Sequence, residues 1–260
     1  MNKPPHLPAR SNILLRTENT RQLHGKIAGY SGRCGGKATA RYVIGIDEVG
    51  RGSLAGPVTV AAVLIPKGWR NKSGLTLKDS KKLSSSVREA WFGHLKKTSR
   101  SFRERGSPGA ANVSYAISHV QPSTIDKINI SNAANLAAFR TIEKLSRQNP
   151  AGYSGLVRGA LRGEAGKPAI FLDGGLYMRN SIRRTSLLFK SRTVTKGDEK
   201  IPAIALASIV AKVRRDALMK RLHKKHTHYG FDVHKGYGTK RHQKAIKKYG
   251  LSEAHRVSFC

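Results

Sequence analysis

The sequence predicts a mixed α/β fold, a five-stranded sheet flanked by helices with a small helical C-terminal portion over about residues 225–260. Three observations carry that expectation. Short apolar and β-branched runs alternate with longer stretches whose apolar residues recur at helical spacing. Glycine and proline punctuate the junctions. The order (three strands with a helix inserted, then helix, strand, strand and helix) suits a meander to which two strands are added in parallel.

Tyr42 to Ile46 is the first strand and runs directly into Asp47 and Glu48. After a glycine turn, Val58 to Ile65 forms the second, stopped by Pro66. A helix follows Ser84, which suits an N-cap because its hydroxyl can accept from an unpaired N–H of the first turn. Ala111, Val113, Tyr115 and Ile117 alternate with polar neighbours and predict a third strand. Leu136, Phe139, Ile142 and Leu145 place a helix over 131–147. The glycine-rich stretch 149–168 reads as a loop. Ala169 to Leu172 is the fourth strand, ending at Asp173, and Arg192 to Thr195 the fifth, ending near Asp198. A long helix spans about 199–224, with Pro202 in its first turn where a missing N–H costs little. Another covers roughly 239–249 and is closed by Gly250.

Charge narrows the function. Lys and Arg number 49 against 15 Asp and Glu, a net of +34, spread along the whole chain. A field of that sign draws polyanions. A membrane-surface helix would instead concentrate its basic residues on one amphipathic segment. No apolar run approaches the roughly 18 residues of a membrane span. Cys34 and Cys260 form neither a disulfide framework nor a metal knuckle, so a reducing, cytoplasmic setting is expected. Residues 1–40 carry seven Lys and Arg against the single acid Glu18 and no apolar periodicity. They read as a disordered basic extension that adds non-specific nucleic-acid affinity, with an organellar transit peptide as the minor alternative. Residues 41–260 are expected to form the folded domain.

Acids are scarce, so their placement is informative. Asp47 and Glu48 close one apolar strand, Asp173 closes another, and Asp198 sits between a strand and a helix. Each can serve as a turn residue or helix cap, a reading strongest for Asp198. Carboxylates gathered at one end of a sheet would hold hard divalent cations, Mg²⁺ or Mn²⁺, through oxygen ligands. Two such ions can support phosphodiester hydrolysis. One obstacle stands out: neighbouring strand residues point to opposite faces. Asp47 and Glu48 reach one site only if the strand bends or ends between them.

Gly50-Arg51-Gly52-Ser53-Leu54-Ala55-Gly56 is not a dinucleotide fingerprint. Its spacing differs, and a strand follows where that motif needs a helix. It reads better as a loop whose backbone approaches a sugar-phosphate and can test for a 2′-hydroxyl. His234-Lys235-Gly236-Tyr237-Gly238-Thr239 is a second basic glycine loop, whose Tyr237 can stack on a nucleotide or simply pack. Lys81 and Lys82 are candidates for phosphate contact or ordinary solvated charges. Asp216, four residues after Lys212 on the long helix, is expected to pair with it. His234, His242 and His255 lack zinc-type spacing.

The stretches Asp47–Gly52, Leu77–Ser84, Ile125–Ile130, Leu172–Gly174, Lys196–Asp198, Ala207–Asp216, the Tyr237 loop and Ala254–Phe259 together resemble ribonuclease HII, in order, over about residues 41–259. The resemblance implies an RNase H-like fold. It implies a metal site of Asp47, Glu48, Asp173 and Asp198, with two Mg²⁺ or Mn²⁺ ions. Gly50, Arg51 and Gly52 would contact the ribonucleotide at an RNA–DNA junction, and Tyr237 would pack on the following deoxyribose. Implied substrates are RNA–DNA hybrids and DNA containing ribonucleotides, cut 5′ to the ribonucleotide to leave 3′-hydroxyl and 5′-phosphate ends. No sliding-clamp motif is visible, which argues against that partner; a monomer without an obligate protein partner is expected. Ribonuclease HIII is the nearest alternative. It usually lacks the arginine that stands here as Arg51, and it carries a folded N-terminal domain that residues 1–40 are too short to form. A non-catalytic RNA-binding protein is the alternative from another class.

Overall fold

The computed structural model describes residues 42–105, 113–148, 168–177 and 191–260. The basic extension and nearly all of the 149–168 stretch lie outside those residues. Five strands form one sheet: β1 (Tyr42–Val49), β2 (Val58–Pro66), β3 (Ser114–Val120), β4 (Ala169–Asp173) and β5 (Ser191–Val194), in spatial order β3-β2-β1-β4-β5. β1, β2 and β3 pair antiparallel, and β4 and β5 add in parallel beside β1. The expected meander with two parallel additions is the topology observed. The third strand runs three residues later than the alternation suggested; Ser114–Val120 alternate buried and half-buried, and Ala111 lies outside the described residues.

Helices cover both faces: α1 (Ser85–Arg105), α2 (Pro122–Ile128), α3 (Ile130–Arg147), α4 (Pro202–Lys225) and α5 (Lys240–Tyr249). α3 lays Ala133, Ala137, Ile142 and Leu145 against Ile44, Ile46, Val60 and Leu172 on one face. α1 and α4 cover the other with Trp91, Leu95, Ile204, Leu206 and Val210 against Ala61, Val63 and Ile65. The first half of α4 is buried on all sides, as a helix apolar all round must be. Its close approach depends on one residue. A Cβ at Gly45 would lie 2.2 Å from backbone atoms of Ala203 and Ile204, so only glycine lets the start of α4 rest on β1. That contact fixes the 197–201 segment, and with it Asp198, relative to the acid-bearing end of β1.

A third, smaller cluster of Ala55, Met219, Tyr229, Phe231, Ala245 and Ala254 holds the C-terminal portion to the end of α4 and to the loop after β1. Asp126 at the end of α2 accepts from the backbone N–H of Val257 and of Ser258, tying the last residues to the main body. Among the described residues, no helix is long and apolar enough to cross a membrane.

Candidate active site

The parallel strands β1, β4 and β5 deliver their C-terminal ends to one end of the sheet, where ligands bind in open α/β sheets. The β1–β4 ladder ends at Ile46 and Leu172; the next positions in that register are Asp47 and Asp173. Asp198 follows β5 in a single helical turn, Gly197–Lys200. The Gly197 N–H donates to Asp173 Oδ1 at 2.8 Å, which seats this turn on the end of β4. Topology thus brings Asp47, Asp173 and Asp198 to one place from positions far apart in the chain.

Glu48 arrives differently from the expectation. The strand neither ends nor bends between the two acids: β1 stays paired with β2 out to Val49, and the positive φ of 86° comes after them, at Gly50. What ends early is the ladder on the β4 side, at Ile46. Asp47 folds back to accept the Glu48 N–H at 2.8 Å. Glu48 turns towards Gly175, just past β4, where a Cβ would stand 2.5 Å from its Oε1. Loss of strand pairing on one side, with a glycine opposite, takes the place of the expected bend.

The electrostatics describe a crowded anionic site. Burial pushes the Asp47 carboxyl well above the usual carboxylate range, and the charges of Glu48 and Asp173 push it further; hydrogen bonds from Ser208 and the Glu48 N–H pull the other way. Burial also raises Glu48, the Arg51 guanidinium opposes the rise, and Asp173 adds to it. Asp198 is raised by burial and by Asp173 and Asp79, against Lys81. Asp173 is therefore the acid whose charge reaches the other three. Glu48 Oε2 is buried with no hydrogen-bond partner. An orphaned carboxylate oxygen among desolvated acids fits a hard cation, which would supply the missing partner and reverse the repulsion. Among the described residues, no three such side chains stand in a ready-made metal cage, so the acids are gathered but not closed around one point.

Arg51 folds inward across this site. Its Nη1 lies 3.5 Å from Glu48 Oε1 and donates to the Gly175 carbonyl, and its Nη2 donates to Ser131 Oγ at 2.8 Å. Gly52 has open space around it, whereas Gly50 is packed hard: a Cβ there would lie 2.0 Å from Arg215 Nε. Tyr237 stands beside this loop, bridged to Ser53 and 37% exposed, so it is not a core tyrosine. Lys82 pairs with Glu199 at 3.0 Å, next to Asp198, and both side chains are exposed. Lys81 is exposed, and its charge reaches Asp198. The expected Lys212–Asp216 pair is present at 3.0 Å.

Several residues of this region escaped sequence reasoning. Asp79 caps the 80–82 turn by accepting the Lys81 N–H at 2.9 Å, beside Asp198. Ser208, on α4, bonds Asp47 and lies 2.8 Å from Ser80 Oγ. Arg215 and Arg256 are fully buried beneath the glycine loop. Arg256 donates to the carbonyls of Gly50, Arg51 and Gly56. Burial lowers its pKa to about 10 and lowers that of Arg215, yet both remain cationic near neutral pH. Both arginines fall in stretches that carry the family resemblance, Ala207–Asp216 and Ala254–Phe259, but nothing in the sequence marked them as buried.

The histidines form a structural chain rather than a ligand set. His255 Nδ1 accepts the Ser252 N–H at 2.9 Å, so its Nε2 carries the proton and donates to His242 Nε2 at 3.1 Å. His242 Nδ1 then donates to the Tyr237 carbonyl at 3.0 Å. The first two links require a neutral ring at the accepting nitrogen, so the chain as a whole needs both His255 and His242 neutral.

The sheet has helices on both faces, desolvated acids at the ends of its parallel strands and a glycine loop beside them. Comparison with known proteins supplies the family. The ribonuclease HII family model matches residues 44–260. Ribonucleases HII of Bacillus thuringiensis strain Al Hakam and of Ruminiclostridium cellulolyticum are each 38% identical over 218 residues, covering 84% of this chain and 68% and 69% of theirs. The crystal structure of the ribonuclease H2 from Pyrococcus horikoshii OT3 is 25% identical with a TM-score of 0.53, covering 84% of this chain and 93% of that one. Bst-RNase HIII, 20% identical with a TM-score of 0.55 over 86% of this chain and 68% of its own, shares the fold. The chain belongs to the ribonuclease HII family. It is a metal-dependent hydrolytic nuclease with ribonuclease H activity on RNA–DNA hybrids.

Proposed function

We propose that this nuclease also cuts 5′ to single ribonucleotides embedded in duplex DNA, leaving 3′-hydroxyl and 5′-phosphate ends, with Asp47, Glu48, Asp173 and Asp198 holding two divalent ions, Mg²⁺ or Mn²⁺. The observation that carries the metal reading is the buried, unpartnered Glu48 Oε2 among acids raised by burial and mutual repulsion. When bound, such ions would polarise the scissile phosphate and lower the pKa of the attacking water.

The chain's own residues do the rest. Asp47 and Asp173, at neighbouring positions of adjacent strands, anchor the site to the rigid sheet. Arg51 restrains Glu48 from one side and ties it to Gly175 and Ser131. The backbone of Gly50, Arg51 and Gly52 tests the 2′-hydroxyl. Inward-facing carbonyls of Gly50 and Arg51 are already taken by Arg256, which supports a loop that offers its N–H groups outward. The exposed ring of Tyr237 packs on the deoxyribose that follows the ribonucleotide. Lys81 and Lys82 add cationic charge next to Asp198, where the phosphate backbone would pass. Cytoplasmic action as a monomer, without an obligate protein partner, completes the reading.

The test is a DNA duplex carrying one ribonucleotide, incubated with Mg²⁺ or Mn²⁺. We expect a single cut 5′ to the ribonucleotide, and a loss of roughly 10³-fold in rate for Asp47→Asn with binding retained. Binding by the wild type without metal-dependent cutting of this duplex would overturn the reading.

A further inference from the structure

We propose that Arg215 is a positioning residue that locks the Gly50–Pro57 loop and Tyr237 into one rigid unit, and so sets the preference for a ribonucleotide–deoxyribonucleotide junction over the interior of a hybrid. The inference rests on the reading of Tyr237 as a sugar-packing residue and goes beyond it by naming what aims that ring.

Arg215 is fully buried, in the second half of α4. No carboxylate among the described residues lies within ion-pair distance of it; the adjacent Asp216 is engaged by Lys212. A buried charge without a counter-ion is costly unless its hydrogen bonds are made. Here they are. Nε donates to the Pro57 carbonyl at 3.2 Å, Nη2 to Ser53 Oγ at 2.8 Å and to the Ala55 carbonyl at 3.1 Å, and Nη1 to the Lys235 carbonyl at 2.7 Å. Three of these acceptors belong to the first glycine loop and one to the Tyr237 loop. A single planar fork thus cross-links both.

The same guanidinium sits 5.6 Å from the centroid of the Tyr237 ring, within cation–π reach, and the tyrosine remains 37% exposed. Two glycines let the loops close on it. Gly50 leaves room for Arg215 Nε, and Gly236 lets the second loop reach the Ala55 carbonyl, 2.4 Å from where its Cβ would be. Leu54 N–H donates to the Gly236 carbonyl at 2.9 Å and completes the joint. A methionine could fill this volume at lower electrostatic cost, but it could not hold four acceptors in fixed directions. Arg256 offers an internal comparison. It is equally buried and equally bonded to the first loop, but it packs over Phe259 rather than Tyr237.

The experiment measures kcat/KM on two substrates, a duplex with one ribonucleotide and a uniform RNA–DNA hybrid. The variants are Arg215→Lys, Arg256→Lys, Tyr237→Ala and the Arg215→Lys/Tyr237→Ala double variant. Arg215→Lys keeps the charge and loses the fork. We expect it to lower the junction-to-hybrid ratio roughly tenfold, the equivalent of one or two hydrogen bonds. It should have no further effect on the ratio once Tyr237 is alanine. Arg256→Lys should lower both rates alike. Equal losses on the two substrates for Arg215→Lys would make it plain scaffolding and overturn the proposal. So would an effect on the ratio that persists undiminished without Tyr237. If Tyr237→Ala itself leaves the ratio unchanged, the sugar-packing reading fails and the inference falls with it, a result distinct from the first two. Should Arg215→Lys not fold, Ser53→Ala removes just one of the fork's acceptors and carries the same test.

Discussion

Two clusters of like charge border the glycine loop, and they are built on opposite terms. At the sheet end, Asp47, Glu48 and Asp173 repel one another, and Glu48 Oε2 has no partner. Beneath the loop, Arg215 and Arg256 are more deeply buried, yet their guanidinium groups are met by backbone carbonyls and a hydroxyl. The difference separates a candidate binding site from a scaffold. An incomplete polar cluster is a place prepared for something that arrives; a saturated one is finished structure, and its value lies in the geometry it imposes.

The comparison can be broken from either side. The largest effect on stability is expected beneath the loop. Arg256→Met should cost about 3 kcal/mol in unfolding free energy, because the carbonyls of Arg51 and Gly56 would lose the Arg256 donor and that of Gly50 would keep only its bond from Ser53 Oγ. Denaturant titration measures it, and a loss under roughly 0.5 kcal/mol would contradict the scaffold reading. At the sheet end the sign should reverse. Without metal, Asp47→Asn should leave stability unchanged or raise it, since an isosteric amide keeps the bond from the Glu48 N–H and removes a repelling charge. Adding Mn²⁺ should raise the melting temperature of the wild type, by the equivalent of about 2.7 kcal/mol at a hundredfold excess over Kd, and Asp47→Asn should lose most of that gain. Equal metal stabilisation of both proteins would place the ion elsewhere.

The smallest effect concerns the histidine chain that holds the Tyr237 loop. His255 is 2% exposed, and burial, then the neighbouring His242, hold its pKa down to about 4. A folded-state value below the unfolded 6.5 means that the unfolded chain binds the proton first. The chain's contribution to stability is therefore complete above about pH 6.5 and is lost as pH falls towards 4. His242→Gln should flatten that acid limb in melting curves collected across this range; an unchanged limb would assign it to other groups, His119 included, which burial also lowers to about 4.

Much of this was legible in the sequence because it is local. Strand and helix periodicity located all five strands and the main helices, with the third strand displaced by three residues. Scarcity made the acids visible: in a chain with 15 Asp and Glu, two side by side at a strand end stand out. The Lys212–Asp216 pair followed from helical spacing alone. Glu48 was misjudged in its route, since the early end of one ladder depends on where β4 stops, far along the chain at Asp173.

The sequence by itself determined the elements, their order, the charge that selects a polyanion and the carboxylates at strand ends, all consequences of residues a few positions apart. Only the tertiary structure decided which of those carboxylates share a neighbourhood, that Glu48 is left with an unpartnered oxygen, and that Arg215 binds two loops into one. Periodicity and propensity act along the chain, whereas desolvation and hydrogen-bond saturation depend on what the fold brings alongside. A buried arginine reads in sequence as one more positive charge among 49; only its surroundings show that it faces carbonyls and a tyrosine ring instead of phosphate.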